Sequence, residues 1–463
     1  MRATVDRFYA GWGVEVHSLR GTRDERLLAE ELVEEAKSIE GYVLYLAGRE
    51  DSKVVDYVED SGLVNVAAVA IPKKRVRNAR LEEIAWGVER ARARLRLRLS
   101  FRNKSGILVH VAVKPRLESL VEDQPYADVF LATRGWREWI ARLGGREVLD
   151  HDTVILERLA GGKHLVYIGP RPLYELHIPD VGMPKLNKIS GRTSLVPQEP
   201  LQIDEYWARR VIDFYEKVSK RLLRDALARA EEELGSLDAI VVPWSGGKDS
   251  TIALILARNV YKDIVAIYVD TGVDFPQTRE YVMDYADKLN IELIYTRAPV
   301  RKNIRMLGMP THNNRWCTGL KLEALREVLR RLGERIIVVT GDRDAESEAR
   351  SRRPPIRLER LDTAGRLTVV TVTPLKQWST LLLQLYARHK GVKLNPLYEY
   401  GFYRLGCYIC PALRSWEKML ILRDPRIASR LIGLPYYRRV SSGKAEYFIS
   451  GIRDAWVHHS RGE

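Results

Sequence analysis

Cysteine is scarce in this chain, with three among 463 residues. An odd number argues against a disulfide framework and predicts a reducing compartment, the cytoplasm. Long hydrophobic runs are also lacking, because no apolar stretch approaches the roughly 20 residues that span a bilayer. The opening segment, MRATVDRFYAGWGVEVHSLRG, has no apolar signal-peptide core. We therefore expect neither secretion nor a membrane partner.

Acidic residues are outnumbered: 76 Lys and Arg against 61 Asp and Glu give a formal net charge of +15. The excess is clustered, since residues 73–104 hold twelve basic and three acidic residues and residues 404–444 hold nine and two. Clustered positive charge favours a polyanionic partner such as RNA. A charge for solubility, or the ion-pair networks of a heat-stable protein, are the alternatives.

The stretch AIVVPWSGGKDST at residues 239–251 predicts a strand, a tight loop and a helix. Its two glycines let the backbone approach a ligand, and the unpaired amides and dipole of the helix start favour an anion there. The string lacks the first glycine of the common G-x-x-x-x-G-K-[ST] loop. The residues expected to hold phosphate are Ser245, Gly246, Gly247, Lys248, Asp249, Ser250 and Thr251.

Residues 1–120 predict an α/β domain. Its elements are strands at 42–47 and 64–71 and helices at 51–59 and 80–90. Next come Arg92, Arg94, Arg96 and Arg98, which alternate with apolar residues. We expect a strand with one basic face, which is either a solvated face or an RNA-facing strip, and a neighbouring strand at 107–113.

Residues 121–181 change to short strands separated by glycines, at 129–132, 154–159 and 164–168. This pattern loosely resembles a PUA domain, a small β-barrel that binds RNA, and an ordinary small β domain is the alternative. Residues 182–203 are rich in proline and glycine and predict a linker. Asp204 is expected to cap a long amphipathic helix that runs to Leu234.

Downstream of residue 251 the predicted elements alternate. They are strands at 264–269, 291–295 and 336–340 and helices at 278–289 and 320–332. Such alternation predicts a doubly wound parallel sheet that binds its ligand at the carboxyl ends of the strands. Asp270, Thr271 and Gly272 follow one of these strands, and the segment 341–350 follows another.

Five ordered strings resemble the PP-loop ATP pyrophosphatase superfamily and, within it, the phosphoadenosine phosphosulfate (PAPS) reductase family. They are SGGKDS at 245–250, DTG with F-P-x-T at 270–278, a cysteine- and lysine-containing segment at 315–321, G-x-R-x-x-E-S-x-x-R at 341–350 and a closing segment at 374–411. The resemblance implies an enzyme with an adenine nucleotide α-hydrolase-like domain at 204–400, followed by a basic, cysteine-containing segment at 401–463.

The resemblance also implies that ATP and Mg²⁺ bind over the strand ends. Lys248 would neutralise charge on pyrophosphate, and Asp249 would orient the loop or the metal ion. The residues implied to contact the nucleotide beyond the loop are Asp270, Thr271, Gly272, Arg343 and Arg350. For the two arginines, a surface ion pair with Glu346 or Glu348 is the alternative.

The three cysteines are Cys317, Cys407 and Cys410. Thiol-dependent sulfonucleotide reductases of this family use a cysteine near the C-terminus, and none follows Cys410 in this sequence. Three thiolates are sufficient to hold a 4Fe-4S cluster with one open iron, an arrangement attributed to related RNA thiolases. With His312 they would equally suit Zn²⁺, and cysteine spacing alone leaves both open.

We therefore expect ATP-dependent, AMP-forming sulfur transfer to RNA, in particular tRNA, with sulfur from a separate donor. Lys248, Asp249 and the three cysteines would be catalytic, which makes the enzyme a transferase rather than an oxidoreductase. A sulfonucleotide reductase and a non-catalytic, nucleotide-sensing RNA-binding module are the alternatives. The sequence leaves a homodimer open.

Overall fold

The structure is a computed structural model. It describes residues 9, 12, 14–18, 24–61, 63–97, 126–169, 172–189, 200–361 and 367–437. The predicted strand at 107–113, residue Arg98 and the basic residues beyond 437 lie outside these ranges. No helix of the described residues has both the length and the apolar character needed to cross a membrane.

The N-terminal unit is a three-stranded parallel sheet in the order β1-β2-β3. Its elements are β1 (Val14–Ser18), α1 (Glu25–Ser38), β2 (Tyr42–Ala47), α2 (Ser52–Asp60), β3 (Val66–Ala70) and α3 (Leu81–Leu97). Every residue of β2 is buried, and its alternate side chains enter two separate apolar clusters. The two predicted strands and the helix near residue 52 are confirmed.

The predicted basic strand beginning at Arg92 is wrong, because these residues continue helix α3. Arginine, alanine and leucine are strong helix formers, and residues 91–97 hold no β-branched side chain. Arg92 and Arg96, four positions apart, share one helix face and are both buried. Arg92 donates to Asp344 and, at 3.2 Å, to the carbonyl of Ser351. These two arginines therefore hold the N-terminal unit against the segment that contains Asp344 and Ser351, and they do not form an RNA-facing strip.

The second unit is an antiparallel meander in the order β4-β5-β6-β7-β8. Its elements are β4 (Asp128–Leu131), α4 (Arg134–Arg142), β5 (Ile155–Arg158), β6 (Lys163–Tyr167), β7 (Pro172–His177) and β8 (Lys185–Lys188). Strand β8 lies in the predicted linker, which corrects that prediction. It is a short, mostly exposed edge strand, KLNK, and such a strand has no hydrophobic signal in the sequence.

The third unit is a six-stranded sheet in the order β11-β10-β9-β12-β14-β13, parallel except for its edge strand β13. The strands are β9 (Ala239–Pro243), β10 (Val265–Asp270), β11 (Glu292–Arg297), β12 (Arg335–Val339), β13 (Ile356–Arg360) and β14 (Thr368–Val372). The predicted doubly wound sheet is confirmed. Strands β13 and β14 were not predicted from the sequence.

Helices cover both faces of this sheet. They are α5 (Glu205–Leu234), α6 (Lys248–Arg258), α7 (Pro276–Leu289), α8 (Val300–Leu307), α9 (Trp316–Leu332), α10 (Glu348–Ser351), α11 (Thr380–His389), α12 (Ser415–Arg423) and α13 (Pro425–Leu431). Neighbouring strand residues enter opposite clusters: Val242 packs with α5 and α6, and Val241 packs with α9. Asp204 caps α5 through the amide of Trp207, as predicted.

The chain leaves β9 towards β10 and β11, then returns to place β12 on the other side of β9. This reversal creates a crevice at the carboxyl ends of β9 and β12, where open α/β sheets bind ligands. Gly341 follows β12, and a Cβ on it would lie 2.6 Å from the carbonyl carbon of Asp249. The absence of a side chain at Gly341 therefore allows the two loops to meet.

Candidate active site

The predicted phosphate loop joins β9 to α6, which begins at Lys248. Gly246 has a φ of 71°, a left-handed conformation that suits glycine, and a Cβ there would lie 2.8 Å from Cγ2 of Val282. The hydroxyls of Ser245 and Ser250 lie 3.1 Å apart. The loop is thus a tight turn that ends at the positive end of a helix dipole, which favours phosphate.

Lys248 is almost fully buried, and two tyrosines of the closing segment cover it. Its Nζ donates to Oδ2 of Asp249 at 3.0 Å and to the carbonyl of Tyr403 at 3.1 Å. The ammonium lies 5.4 Å from the ring centroid of Tyr398 and 5.0 Å from that of Tyr403. The backbone amide of Lys248 donates to the hydroxyl of Tyr398 at 2.8 Å. The hydroxyl oxygen of Tyr398 therefore already accepts the hydrogen bond that this loop amide could donate to a phosphate.

Arg343 connects the phosphate loop with the antiparallel unit. Its Nε donates to Asp249, and its Nη1 donates to Oδ2 of Asp128 at 3.1 Å. Burial raises the pKa of both carboxyl groups, but Arg343 together with a second cation, Arg158 for Asp128 and Lys248 for Asp249, and with hydrogen bonds holds each pKa below its usual value. Both carboxylates are therefore charged at neutral pH, and the guanidinium is already bound between them.

Arg350, the second predicted anion ligand, is 38% exposed and lies at the surface. It pairs with Glu346 and, at 3.5 Å, with Asp342. The structure thus gives Arg350 the surface ion pair that the sequence left as the alternative. Arg343 differs, because its partners are buried and come from two other parts of the fold.

The antiparallel unit holds the closing segment over the phosphate loop. Thr133 donates from its hydroxyl to the carbonyl of Tyr398 at 2.8 Å. Gly135 approaches Tyr400 so closely that a Cβ would lie 2.2 Å from its carbonyl carbon. Trp136 stacks on Trp416 with ring centroids 4.1 Å apart. This unit therefore positions the tyrosines that cover Lys248.

The DTG element lies at the end of β10, beside the cysteine loop. Asp270 accepts from the amide of Gly272 at 2.7 Å and from the hydroxyl of Tyr295. Asp274 forms a β-bridge with Cys407. The hydroxyl of Thr271 donates to Asp274 at 2.9 Å and lies 3.7 Å from Sγ of Cys407. The DTG loop and the cysteine loop therefore lie against each other at this strand end.

Burial raises the pKa of two titratable groups at this junction. Burial, and then the nearby carboxylate of Asp274, raise the pKa of the Cys407 thiol to about 12, although Lys321 opposes the shift. Burial likewise raises the pKa of Asp274. Cys407 is therefore a neutral thiol at pH 7, and a cation brought close to it would make it a better nucleophile.

The predicted metal ligands do not form an assembled set. His312 is exposed in the loop before α9, and Cys317 is the partly buried second residue of that helix. Within the described ranges, which include all three cysteines, no group of three or more His, Cys, Asp or Glu side chains is placed to hold a metal ion. The residues in this arrangement do not fit an iron-sulfur cluster or a zinc ion.

A cavity of about 1720 Å³ opens at the carboxyl ends of β10 and β11. Asp270, Thr271, Gly272 and Asp274 form part of its lining. Five cationic side chains also line it: Arg279, Arg297, Arg301, Lys302 and Arg305. Ordinary ligand pockets measure about 300–1,000 Å³, so this space exceeds the needs of one nucleotide.

The sequence reading missed the cationic lining, although a charge count would have found it. Residues 297–322 contain six Lys and Arg and no Asp or Glu. It also missed Asp128 and Tyr295, whose contacts with Arg343 and Asp270 depend on chain segments far apart in sequence. No local pattern indicates such partners.

Comparison with known proteins finds similarity over the part of the chain that holds the phosphate loop, the DTG loop and the cysteine pair. Residues 239–413 match the family model described as the phosphoadenosine phosphosulfate reductase domain. An uncharacterized protein of Methanocaldococcus jannaschii is 32% identical over 222 residues, which cover 47% of this chain and 52% of that protein. A phosphoadenosine 5'-phosphosulfate reductase of Escherichia coli is 25% identical over 225 residues, covering 43% of this chain and 87% of that enzyme.

The chain spans about half the length of the first curated relatives that it matches. Among solved structures, PAPS reductase from Candida auris matches with a TM-score of 0.32 and 20% identity, over 44% of this chain and 96% of that one. FMN adenylyltransferase from Candida glabrata matches with a TM-score of 0.32 and 17% identity, over 43% and 62%.

Proposed function

Because residues 239–413 form a domain of the phosphoadenosine phosphosulfate reductase family, we propose that this nucleotide-using enzyme transfers sulfur to RNA, with tRNA as the acceptor, at the expense of ATP. One observation carries the proposal: the DTG loop and the cysteine loop meet, with Thr271 Oγ1 lying 3.7 Å from Cys407 Sγ. The cysteine loop also begins four residues after Tyr403, whose carbonyl accepts from Lys248.

The first step is adenylation of the acceptor. A carbonyl oxygen of an RNA base attacks the α-phosphorus of ATP, and pyrophosphate leaves. Amides at the start of α6 and the ammonium of Lys248 stabilise the charge on the leaving group. Asp249, held in its charged form by Arg343, orients Lys248 and supplies a carboxylate for Mg²⁺. Tyr398 must release the Lys248 amide when phosphate binds.

The second step replaces oxygen by sulfur. A persulfide on Cys407 or Cys410, formed by a separate sulfur donor, attacks the activated carbon, and AMP leaves with the original oxygen. The other cysteine thiol then attacks Sγ of the cysteine that carried the persulfide. This step releases the thiolated base and leaves a disulfide between the two cysteines. A cellular dithiol reduces this disulfide and returns the enzyme to its starting state.

An iron-sulfur cluster or zinc site at Cys317, Cys407 and Cys410 is a separate proposal from the sequence alone, and no step above depends on it. Iron, zinc and acid-labile sulfide in anaerobically purified protein test it, with Cys407→Ala as the control. Stoichiometric iron with sulfide would replace the persulfide carrier in this scheme. Stoichiometric zinc would indicate a structural role for the thiols.

Reduction of a sulfonucleotide is the second candidate, favoured by the match to the PAPS reductase domain and to the Escherichia coli enzyme. In that reaction the protein would bind PAPS or its analogue lacking the 3'-phosphate, and it would not release pyrophosphate from ATP. The two reactions therefore differ in their first product.

The test combines ATP, bulk tRNA from a deletion strain of the source organism, and a persulfide donor. Pyrophosphate release that depends on tRNA, together with a new thiolated nucleoside in the mass spectrum, is the expected result. Parallel assays contain PAPS and a dithiol. Sulfite formation with no tRNA-dependent pyrophosphate would replace the proposal by the second candidate.

A further inference from the structure

The cavity at the ends of β10 and β11 has a predominantly cationic lining. Arg279, Arg301, Lys302 and Arg305 are all exposed. No ion pair joins any of them to a carboxylate of the described residues, whereas exposed arginines such as Arg326 and Arg330 on α9 do pair with an acidic neighbour. Four unpaired cations around one opening favour an anionic ligand.

The acidic residues of the cavity lining are fewer than its cations, two against five, and form no ion pair with the four exposed ones among the described residues. Asp270 is buried, and its two oxygens already accept from Gly272 and Tyr295. Asp274 accepts from the amide and the hydroxyl of Thr271 at 2.8 and 2.9 Å. Both carboxylates are therefore bound to neutral groups of the fold, whereas the four cations are exposed.

Aromatic rings accompany the cations. Tyr436 lines the cavity, is partly exposed, and donates from its hydroxyl to the carbonyl of Arg301 at 3.5 Å. Tyr408 lines it as well and directly follows Cys407. Cations that follow a phosphate backbone, together with a ring on which a base stacks, are the combination that binds single-stranded nucleic acid.

We propose that this cavity binds a single-stranded segment of the RNA acceptor, with Arg279, Arg301, Lys302 and Arg305 on its phosphates and one nucleotide directed towards Cys407. The inference rests on the proposed function and adds the location of the acceptor. None of the phosphate-loop residues 245–251 lines the cavity. The volume beyond one nucleotide leaves room for several nucleotides of the acceptor, while ATP binds outside the cavity at the phosphate loop.

The test uses the full-length double variant Lys302→Glu/Arg305→Glu. Both side chains are exposed on α8, so the change alters charge and not packing. Arg224→Glu/Arg229→Glu is the matched control, because these two arginines are exposed on α5, away from the cavity, and the net charge changes equally. Thermal unfolding of both variants verifies that they fold, and Lys302→Ala/Arg305→Ala replaces the first variant if it does not.

Fluorescence anisotropy measures binding of a labelled single-stranded RNA of roughly 12 nucleotides. We expect the cavity variant to bind about tenfold more weakly than the control. Its slope of log affinity against log salt should fall in magnitude by about 1.4, at about 0.7 for each lost phosphate contact. Equal affinities and slopes for cavity and control variants would overturn the inference.

Adenosine 3',5'-bisphosphate serves as the competitor. If it displaces the RNA at micromolar concentration equally from wild type and from the loop variant Lys248→Met, it competes within the cavity, the cavity takes a mononucleotide and the inference fails. Displacement that is lost in Lys248→Met would locate the bisphosphate at the phosphate loop and support the inference. Failure of the proposed function is distinct. RNA binding that depends on the cavity, without any thiolated nucleoside, would contradict the proposed function and support the inference. Unchanged thiolation by Lys302→Glu/Arg305→Glu would support the proposed function and contradict the inference.

Discussion

Arg343, which is buried, and Asp249, which is partly exposed, form an ion pair between the loop after β12 and the phosphate loop. The same guanidinium donates to Asp128, the first residue of the antiparallel sheet, at 3.1 Å. It also donates to the carbonyl of Trp378 and to the hydroxyl of Thr380, each at 3.0 Å. One side chain therefore joins three segments behind the site, and its planar fork suits several acceptors at once.

Replacing Arg343 should destabilise the protein. Arg343→Met keeps much of the volume but removes the ion-pair partner of the buried Asp128 and leaves Asp249 with Lys248 alone. We therefore expect the free energy of unfolding to fall by about 3–5 kcal/mol. Arg350→Met is the matched control, since its ion pairs are at the surface and are worth at most about 1 kcal/mol. Chemical denaturation measures both, and similar losses would contradict a structural role for the buried arginine.

The parallel sheet and the phosphate loop were predictable because their signals are local. A β-branched run, two glycines and an amphipathic segment fall within residues 239–257, and the same alternation repeats after it. The strand at β8 was not predictable, because a polar edge strand lacks apolar alternation. Helix α3 was misread because alternating arginine and leucine satisfies a strand pattern as well as a buried helix.

The partners of Arg343 could not be predicted from the sequence for a different reason. Asp128 lies 215 positions earlier in the chain, and only the packing of the antiparallel unit against the sheet brings the two together. The placement of the three cysteines depends on packing in the same way. The pair at 407 and 410 is local, whereas the position of Cys317 relative to it depends on where α9 packs.

Removal of the loop lysine should abolish nucleotide chemistry. Lys248→Met removes the ammonium that lies beside Asp249 and above the helix start, and we expect pyrophosphate release to fall by at least about 100-fold. Lys262→Met is the control, because Lys262 is exposed after α6 and far from the loop. A coupled pyrophosphate assay compares them, and a variant with near wild-type turnover would refute the assignment of Lys248.

The cysteine pair should be separable from the nucleotide step. Cys407→Ala and Cys410→Ala each remove one of the two thiols that the sulfur step requires, so thiolated nucleoside should disappear while RNA-dependent pyrophosphate release persists. Because the two thiols act as one unit, the double variant should be no worse than either single variant. Nucleoside mass spectrometry and pyrophosphate release on the same samples provide the comparison. Thiolation by either single variant would remove the cysteine pair from the mechanism.

Buried His164 should make the antiparallel unit sensitive to acid. Burial, and then the positive charge of Arg158, lower its pKa to about 3, and its Nδ1 lies 3.0 Å from the carbonyl of Gly162. Between pH 6.5 and pH 3 the unfolded chain binds a proton at this residue that the folded chain does not. The free energy of unfolding therefore decreases as the pH is lowered. From pH 7 to pH 5 the loss amounts to about 2 kcal/mol from this histidine alone.

His164→Gln cannot bind that proton and should therefore lose less stability than wild type over the same pH range, even if it is less stable at pH 7. His177→Gln is the control, because His177 is on the neighbouring strand β7 and also lies near a glycine carbonyl, at 3.2 Å from Gly161, but is only partly buried. Urea denaturation at pH 7, 6 and 5 gives the slopes. Parallel slopes for His164→Gln and wild type would mean that other groups carry the acid sensitivity.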